Sequence, residues 1–477
     1  MKMLTLARKQ YNNHPRKTAV FALVLMLIVV IISIFAYNHF TAFRAVKIIS
    51  AGHYTFAIDT RGGLWSWGTN SHGNLGANEI AYTLSPVRIL TDITYIQNDI
   101  SEYLAIDANG TLWIWGNVIA EDGSLQESHV PIPVMENVVT AHRHRWRTFA
   151  LDTSGTLWAW GFNASGSLGI GTNDCQHTPT KVMSNIVSFD VIADSIFAID
   201  AQGTLWAWGG NDNGRLGDGT TQYRSSPVQI LEDVASVYLG TSIGVNMVFL
   251  PMSFARDNSG TIWAWGSGRY LGDGTEKQRL YPVRVIKNIA EFYTTGSTSF
   301  AIDAYGTLWA WGVGRYLGSG AFGFNSSPIR IMDNVTSVEF GSPTYVIDKY
   351  GTLWGWGLNT DRVTLGDGTY ESQFFPIEIM ENVVSFKSAG DSTFVIDSNN
   401  VLWAWGRNDM GQLGDGTTQH RRYPVRIKRN IVFIETSGES TFAIDTRGAL
   451  WSWGRNDAGQ LGDGTRKNRL SPVRVRR

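Results

Sequence analysis

Two hydrophobic rhythms divide the chain. Residues 19–37 form one apolar run broken only by Ser33. Beyond Val46 the apolar positions come instead in short β-branched or aromatic runs, each bounded by Gly, Asn, Asp or Pro. In residues 328–357, for example, runs at 328–331, 335–340, 344–348 and 352–357 predict four strands. The last run of each set carries Leu-Trp-x-Trp-Gly, with Ile262 once replacing Leu. The pattern recurs at Trp65/Trp67, Trp113/Trp115, Trp158/Trp160, Trp206/Trp208, Trp263/Trp265, Trp309/Trp311, Trp354/Trp356, Trp403/Trp405 and Trp451/Trp453. Intervals of 45 to 57 residues suit propeller blades or solenoid repeats, and four strands per unit select the blade. The expectation is an all-β propeller of nine four-stranded units in one closed ring, with seven blades plus two appended units as the alternative.

Turn chemistry agrees with this reading. Asp ends the third run and Gly follows three residues later, as in Asp59/Gly62, Asp303/Gly306 and Asp445/Gly448; Asp397/Asn400 is the variant. An Asp side chain bonds its own backbone there, and Gly or Asn takes the left-handed exit. Leu-Gly-Asp-Gly-Thr loops recur at 216–220, 271–275, 365–369, 413–417 and 461–465 but are relaxed at 168–172 and absent after Trp115. One carboxylate per turn falls short of the six to eight oxygens calcium takes, so turns rather than metal cages are expected. If Val46 to Ile49 is the second strand of a blade and the run 472–475 a first strand, the two chain ends complete one blade together.

The first rhythm predicts a membrane span. Nineteen residues at 1.5 Å each cover about 28 Å, near the thickness of a hydrocarbon core. Lys2, Arg8, Lys9, Arg16 and Lys17 precede the run without an acid, while Arg44 and Lys47 follow it. That bias keeps the N-terminus cytoplasmic. Large residues at the candidate cleavage tripeptides favour an uncleaved anchor. The expected organisation is a basic cytoplasmic tail at 1–17, a signal anchor at 18–37, a linker at 38–45 and an extracytoplasmic propeller at 46–477 of a single-pass membrane protein.

Composition narrows the function. Forty basic and 41 acidic side chains leave a formal charge of −1, which gives no global field for nucleic acid. A single cysteine, Cys175, excludes an intramolecular disulfide and a CxxC pair. His177 stands two residues from Cys175 without further evident ligands, and the nine histidines show no HExxH arrangement. Gly240-Thr241-Ser242-Ile243-Gly244 matches GxSxG but lacks the strand-to-helix context of a hydrolase. No enzymatic activity, no cofactor and no metal are expected.

Gly52-His53-Tyr54-Thr55-Phe56-Ala57-Ile58-Asp59, Gly63-Leu64-Trp65-Ser66-Trp67-Gly68, Gly73-Asn74-Leu75-Gly76 and Pro86-Val87 resemble the repeat of the regulator of chromosome condensation family, here as a membrane-anchored, bacterial-type member. The resemblance covers residues 46–477. It implies a β-propeller whose loops bind other proteins; the family's founder acts on a small GTPase, and other members sense light or inhibit an enzyme. Seven blades are usual in that family, whereas this chain has nine units.

Function is expected where the units differ, at the loop before the Phe-Ala-Ile-Asp strand. The third unit carries His142-Arg143-His144-Arg145-Trp146-Arg147, which includes the one tryptophan outside the framework. Trp and Arg are over-represented among binding hot spots. The fifth unit has an apolar insertion with Ile243, Val245, Met247, Val248, Phe249, Leu250 and Met252. Arg143, Arg145, Trp146, Arg147, Val248, Phe249 and Met252 are therefore the candidate partner-binding residues. The expected partner is an unidentified protein. Alternatives are a cell-envelope polyanion or glycan, favoured by the 14 Lys/Arg against seven Asp/Glu in residues 407–477, and an exchange-factor-like regulator.

Overall fold

The computed structural model describes residues 43–476 except 100–101, 120–123, 244–248, 321, 340, 342, 361, 363 and 390. The tail at 1–17 and the expected span at 18–37 lie outside the described residues. Among the described residues no helix is long and apolar enough to cross a membrane.

Nine antiparallel four-stranded sheets follow one another, each built from consecutive strands paired in sequence order. Blade one is Ala45–Ala51, Tyr54–Asp59, Leu64–Thr69 and Tyr82–Leu90, and blade nine is Ile431–Thr436, Ser440–Asp445, Leu450–Gly454 and Arg469–Arg474. Strand alternation gives the ring two faces. The hairpins between first and second strands and the loops between third and fourth strands share one, the tip face. The Asp-x-x-Gly turns and the connections from blade to blade share the other, the turn face.

The two tryptophans of each pair do different work. The first is half-buried, and its indole N–H is held by the turn aspartate. In blade one Asp59 Oδ1 accepts from the amides of Arg61 (2.8 Å) and Gly63 (3.0 Å), while Asp59 Oδ2 accepts from Trp65 Nε1 (2.9 Å). The same bond joins Trp113 to Asp107, Trp309 to Asp303 and Trp451 to Asp445. These carboxylates are thereby committed to structure. At Asp303 burial opposes ionisation, but the hydrogen bonds from Trp309 and from the backbone of Thr307 and Tyr305 outweigh it and hold the carboxyl below its ordinary range.

The second tryptophan sits at the interface with the preceding blade and is 0% exposed in eight of the nine pairs, Trp160 being 5% exposed. Removing each indole from water is worth roughly 4–6 kcal/mol before ordering costs. Six of the nine N–H groups reach a carbonyl in the preceding blade's loop, as from Trp265 to Arg215 (2.7 Å) and from Trp453 to Gln412 (2.8 Å), while Trp405 donates to the Tyr345 hydroxyl (3.1 Å). The glycine of Leu-Gly lies on the same indole: a Cβ on Gly217, at φ +82°, would stand 2.8 Å from Trp265 Nε1. This glycine therefore serves a close approach as well as a turn.

An Asn that sequence reading passed over organises six of these loops, at Asn70, Asn163, Asn211, Asn359, Asn408 and Asn456. Asn456 Oδ1 accepts from the Leu461 amide (2.9 Å), while its Nδ2 donates to the carbonyls of Thr465 (2.9 Å) and Lys467 (3.1 Å). The Asp of Leu-Gly-Asp-Gly-Thr is likewise taken, with Asp273 holding Thr275 and Arg279 (Nε to Oδ2, 2.6 Å).

Ring closure differs from the expectation. Arg469–Arg474 pairs with Leu450–Gly454 inside blade nine, so the chain ends do not complete one blade between them; the N-terminal end adds to blade nine only a single bridge, from Arg44 to Ala449. The Pro-Val-Arg run is the fourth strand of its own unit, and the run at 46–49 belongs to a first strand. What closes the ring is the general blade interface repeated once more. Trp67 donates to Gln460 O (2.7 Å), and a Cβ on Gly462 would meet Trp67 Nε1 at 2.7 Å. A short N-terminal staple reinforces it: Ala45 N bonds Gly448 O (3.1 Å) and Leu450 N bonds Phe43 O (3.2 Å), while Val475 N bonds Leu450 O (2.9 Å) beside it within blade nine. Phe43, within the expected linker, is 0% exposed and meets Trp65 and Trp67 edge-on at 5.4 and 6.0 Å.

Candidate interaction face

The framework side chains are consumed in holding blades together, and the tip face carries the hairpins in which the units differ. In blade three, Val138–His144 and Arg147–Asp152 are joined by only Arg145 and Trp146, at φ +48° and +67°. Two positive φ values in a two-residue hairpin define a turn that Asn-Gly normally makes. Arginine and tryptophan are held in it because their neighbours are fastened on both sides.

Arg143 and Arg147, expected to contact a partner, are each 3% exposed and instead brace the blade. The Arg143 guanidinium donates to the Asn117 carbonyl of blade two, and its Nε stands 3.9 Å from Glu102 Oε2. Gln97 Oε1 accepts from the Arg143 amide (3.0 Å). Burial lowers the pKa of Arg143 from its usual range, and the Glu102 charge opposes that shift. Arg147 reaches the other way, to Ser167 Oγ (2.9 Å), Ala193 O (2.8 Å) and Asp194 Oδ1 (2.7 Å). The physical reason is visible in the loops: blade two lacks the Leu-Gly loop after Trp115, and Arg143 fills the interface that this loop seals elsewhere.

Between these braces Arg145 is exposed and Trp146 half-exposed, with the Trp146 amide donating to Glu102 Oε1 (2.8 Å). The hairpin thus presents one cation and one large aromatic on a fixed base. In blade five the apolar insertion extends the sheet. Val234–Ile243 and Phe249–Asp257 stay paired through Ile243↔Phe249, three residue pairs beyond the Gly240↔Met252 level, which is a projection of about 10 Å. Met252, expected at the partner surface, is 1% exposed and packs with Phe254, Phe292 and Trp311 between blades five and six. It lies at the base of the ribbon, where the neighbouring blade covers it. Val248 lies outside the described residues, and Phe249 is placed by its backbone in the ribbon. Of the five candidates whose side chains are described, Arg145 and Trp146 are the two that stand at the surface.

Sequence reading missed a further variable position, the first-strand residue opposite the buried aromatic of the second strand, or opposite Leu104 in blade two. It is Ile49, Gln97, His142, Asp190, Tyr238, Tyr293, Glu339, Lys387 and Glu435 in turn. Several of these join adjacent blades, as Glu339 Oε1 does by accepting from the Ser388 amide (3.1 Å) and Lys387 by approaching Glu435 (3.9 Å). Burial pushes the carboxyls of Asp190 and Glu339 upward. The signal that finds this position is variation at a constant register, which requires knowing the register.

Among the described residues no group of three His, Cys, Asp or Glu side chains is arranged to hold a metal ion. A tip-face cavity of about 260 Å³ is lined by Thr295, Thr298, Phe300, Tyr316 and Thr344. It holds hydroxyls and an aromatic edge but no ionisable pair.

Comparison with known proteins agrees with the repeat and the ring. Residues 154–193 match the regulator of chromosome condensation (RCC1) repeat, and residues 197–477 match the RCC1-like domain. The mitochondrial RCC1 domain-containing protein RUG3 of Arabidopsis thaliana is 33% identical over 105 residues, which is 20% of this chain and 23% of that protein. The match therefore spans less than a quarter of the relative. Among solved structures, Prp20p of Saccharomyces cerevisiae is 20% identical over 69% of this chain and 87% of its own, with a TM-score of 0.42. Human WBSCR16 is 18% identical over 67% and 93%, with a TM-score of 0.43. With more than half of its length matched by the domain, in the same blades that carry the Asp–Trp and glycine–indole contacts, the chain belongs to the RCC1-like domain family.

Proposed function

We propose that this chain is a non-catalytic protein-binding propeller, tethered to a membrane by residues 18–37 with the ring on the extracytoplasmic side. The observation that carries the binding reading is the Arg145-Trp146 hairpin. It departs from the ninefold framework, takes a costly backbone conformation, is clamped from two blades and leaves an aromatic and a cation at the surface. Preorganised Trp and Arg at a rigid tip lose little entropy on binding, which is what a hot spot requires. The paired ribbon of blade five adds a second projection on the same face. The tether rests on the apolar run and its flanking charges.

The test is site-specific photocrosslinking in cells, with the reactive group at position 146 and, as a control, at Tyr305 on the turn face. A discrete adduct from 146 and none from 305 supports the reading. Equal patterns from both positions would sink it.

A further inference from the structure

The two faces of the ring differ in how their charges are satisfied, and the difference is concentrated at the seam. Three backbone bonds stitch four turn-face loops in a row: Thr446 N to Asn430 O (2.8 Å), Ala45 N to Gly448 O (3.1 Å), and Thr60 N to Arg44 O (3.1 Å). Each loop carries an exposed arginine, in order Arg429, Arg447, Arg44 and Arg61, and the exposed Arg476 follows Val475 beside them. Burial lowers the pKa of Lys428, the Asp445 carboxylate opposes that shift and the Arg447 charge adds to it. Among the described residues none of these five arginines has an ion pair. On the tip face of blades eight and nine, Arg407 pairs with Asp409 and Glu439, and Arg455 with Glu439 and Asp457, while Arg422 and Arg466 lie over the rings of Tyr370 and Tyr82. Elsewhere on the turn face the equivalent connections hold Asp92, Glu136, Glu232, Asp233, Asp333 and Glu381, with Lys287 and Lys349 as the cations.

Nothing in the ring requires this segregation. Five exposed cations on adjoining loops repel one another; the turn carboxylates Asp59 and Asp445 beside them are buried and held by backbone amides, and an outside anion would relieve the repulsion further. Which anion follows from where the chain goes. Phe43 is locked in the seam and Arg44 stands next to it, while the apolar run ends at Tyr37. The peptide steps from Tyr37 to Phe43 reach at most about 21 Å. A ring held on so short a leash presents the seam to headgroups, and a Debye length of about 8 Å leaves their charge effective at contact.

We propose that the arginine-lined seam of the turn face docks on anionic lipid headgroups of the bilayer that holds residues 18–37, and so aims the tip face away from the membrane. This rests on the tether reading above.

The full chain is reconstituted in nanodiscs of phosphatidylcholine alone or mixed with phosphatidylglycerol, and thiol labelling by a membrane-impermeant maleimide is timed. Cys175, exposed in a tip-face loop, is the built-in reference. Thr446→Cys reports on the seam. The rate at position 446 is expected to fall roughly tenfold or more in anionic discs relative to neutral ones, and to recover at high salt, while the Cys175 rate stays the same in both. Arg429→Glu with Arg447→Glu should erase the drop, with an unchanged Cys175 rate showing that the ring is intact; the double Lys variant should keep it. Equal rates at 446 in both disc types, with the chain co-eluting with lipid, overturn the docking and leave the tether standing. Protection by soluble polyphosphate in neutral discs, without protection by anionic discs, assigns the arginines to a soluble polyanion and also overturns it. Elution without lipid from both discs refutes the tether, and the docking with it.

Discussion

Phe43→Ala tests how the ring is closed. Phe43 is 0% exposed and touches Trp65 and Trp67 edge-on at the one blade interface that chain continuity does not support. Truncating a buried Phe costs about 3–5 kcal/mol, part of it the cavity left between the two indoles. Spread over the entropy of unfolding of a ring this long, roughly 0.9 kcal/mol/K, that is a fall in Tm of about 3–5 °C. The small shift understates the local effect. Amide exchange at Ala45, Thr60, Leu450 and Val475 reports opening of the seam itself and should accelerate by roughly a hundred- to a few-thousand-fold. Amides of blade five serve as the internal reference and should not change. Phe322→Ala, at a position 74% exposed, is the control and should leave both readouts as they were. Unchanged exchange at the seam with unchanged Tm would refute the claim that Phe43 locks the ring, and would leave the Trp67–Gly462 contact as the whole of closure.

Four other outcomes can be measured. Arg145→Ala with Trp146→Ala should leave the melting curve nearly unaltered and weaken partner binding by about 2–4 kcal/mol, or 30- to 1,000-fold, by titration against the crosslinked partner. Arg147→Met removes the brace to Ser167 and Asp194 and should lower stability by about 1–3 kcal/mol in urea denaturation. The turn carboxylates of Asp107, Asp152, Asp200, Asp257, Asp303 and Asp348 lie below their ordinary value of 3.8 because their hydrogen bonds outweigh burial. A depressed folded pKa gives stability that is complete above the ordinary value and lost as pH falls through the folded one, so Tm should be flat from neutrality to about pH 5 and drop below about pH 4. Protease added to intact cells should degrade the propeller and spare the N-terminal tail; a protected propeller would reverse the proposed orientation.

The fold was legible because each of its rules is short-range. Four runs per unit gave blades, and the ninefold Trp-x-Trp gave the ring, since strand alternation and turn residues are local properties. What failed was phase. The Pro-Val-Arg run at 472–474 looked like an opening strand because nothing local says whether a run starts or ends a blade, and only pairing with Leu450–Gly454 decides it. The site failed in a related way. Arg143, Arg145, Trp146 and Arg147 stand together in sequence, but strand alternation sends the flanking arginines into neighbouring blades and leaves the central two at the tip. Met252 sat in an apolar insertion that reads as one segment, yet its residues belong to a buried base and a projecting ribbon. The Asp–Trp bond was hidden because both residues already had sufficient roles, in the turn and in the core.

The glycine-on-indole contact makes the blades interchangeable parts. Every unit but the second carries a loop that receives the next indole, so the interface is head-to-tail and alike in kind at eight of the nine junctions, including the one between last and first. Such an interface does not count its members; it closes when the rotation per step divides a full turn, here about 40° for each of nine. Duplication of one unit in a gene would therefore yield a part that already fits its neighbours, and the number of blades would be set by a few degrees of tilt rather than by new contacts.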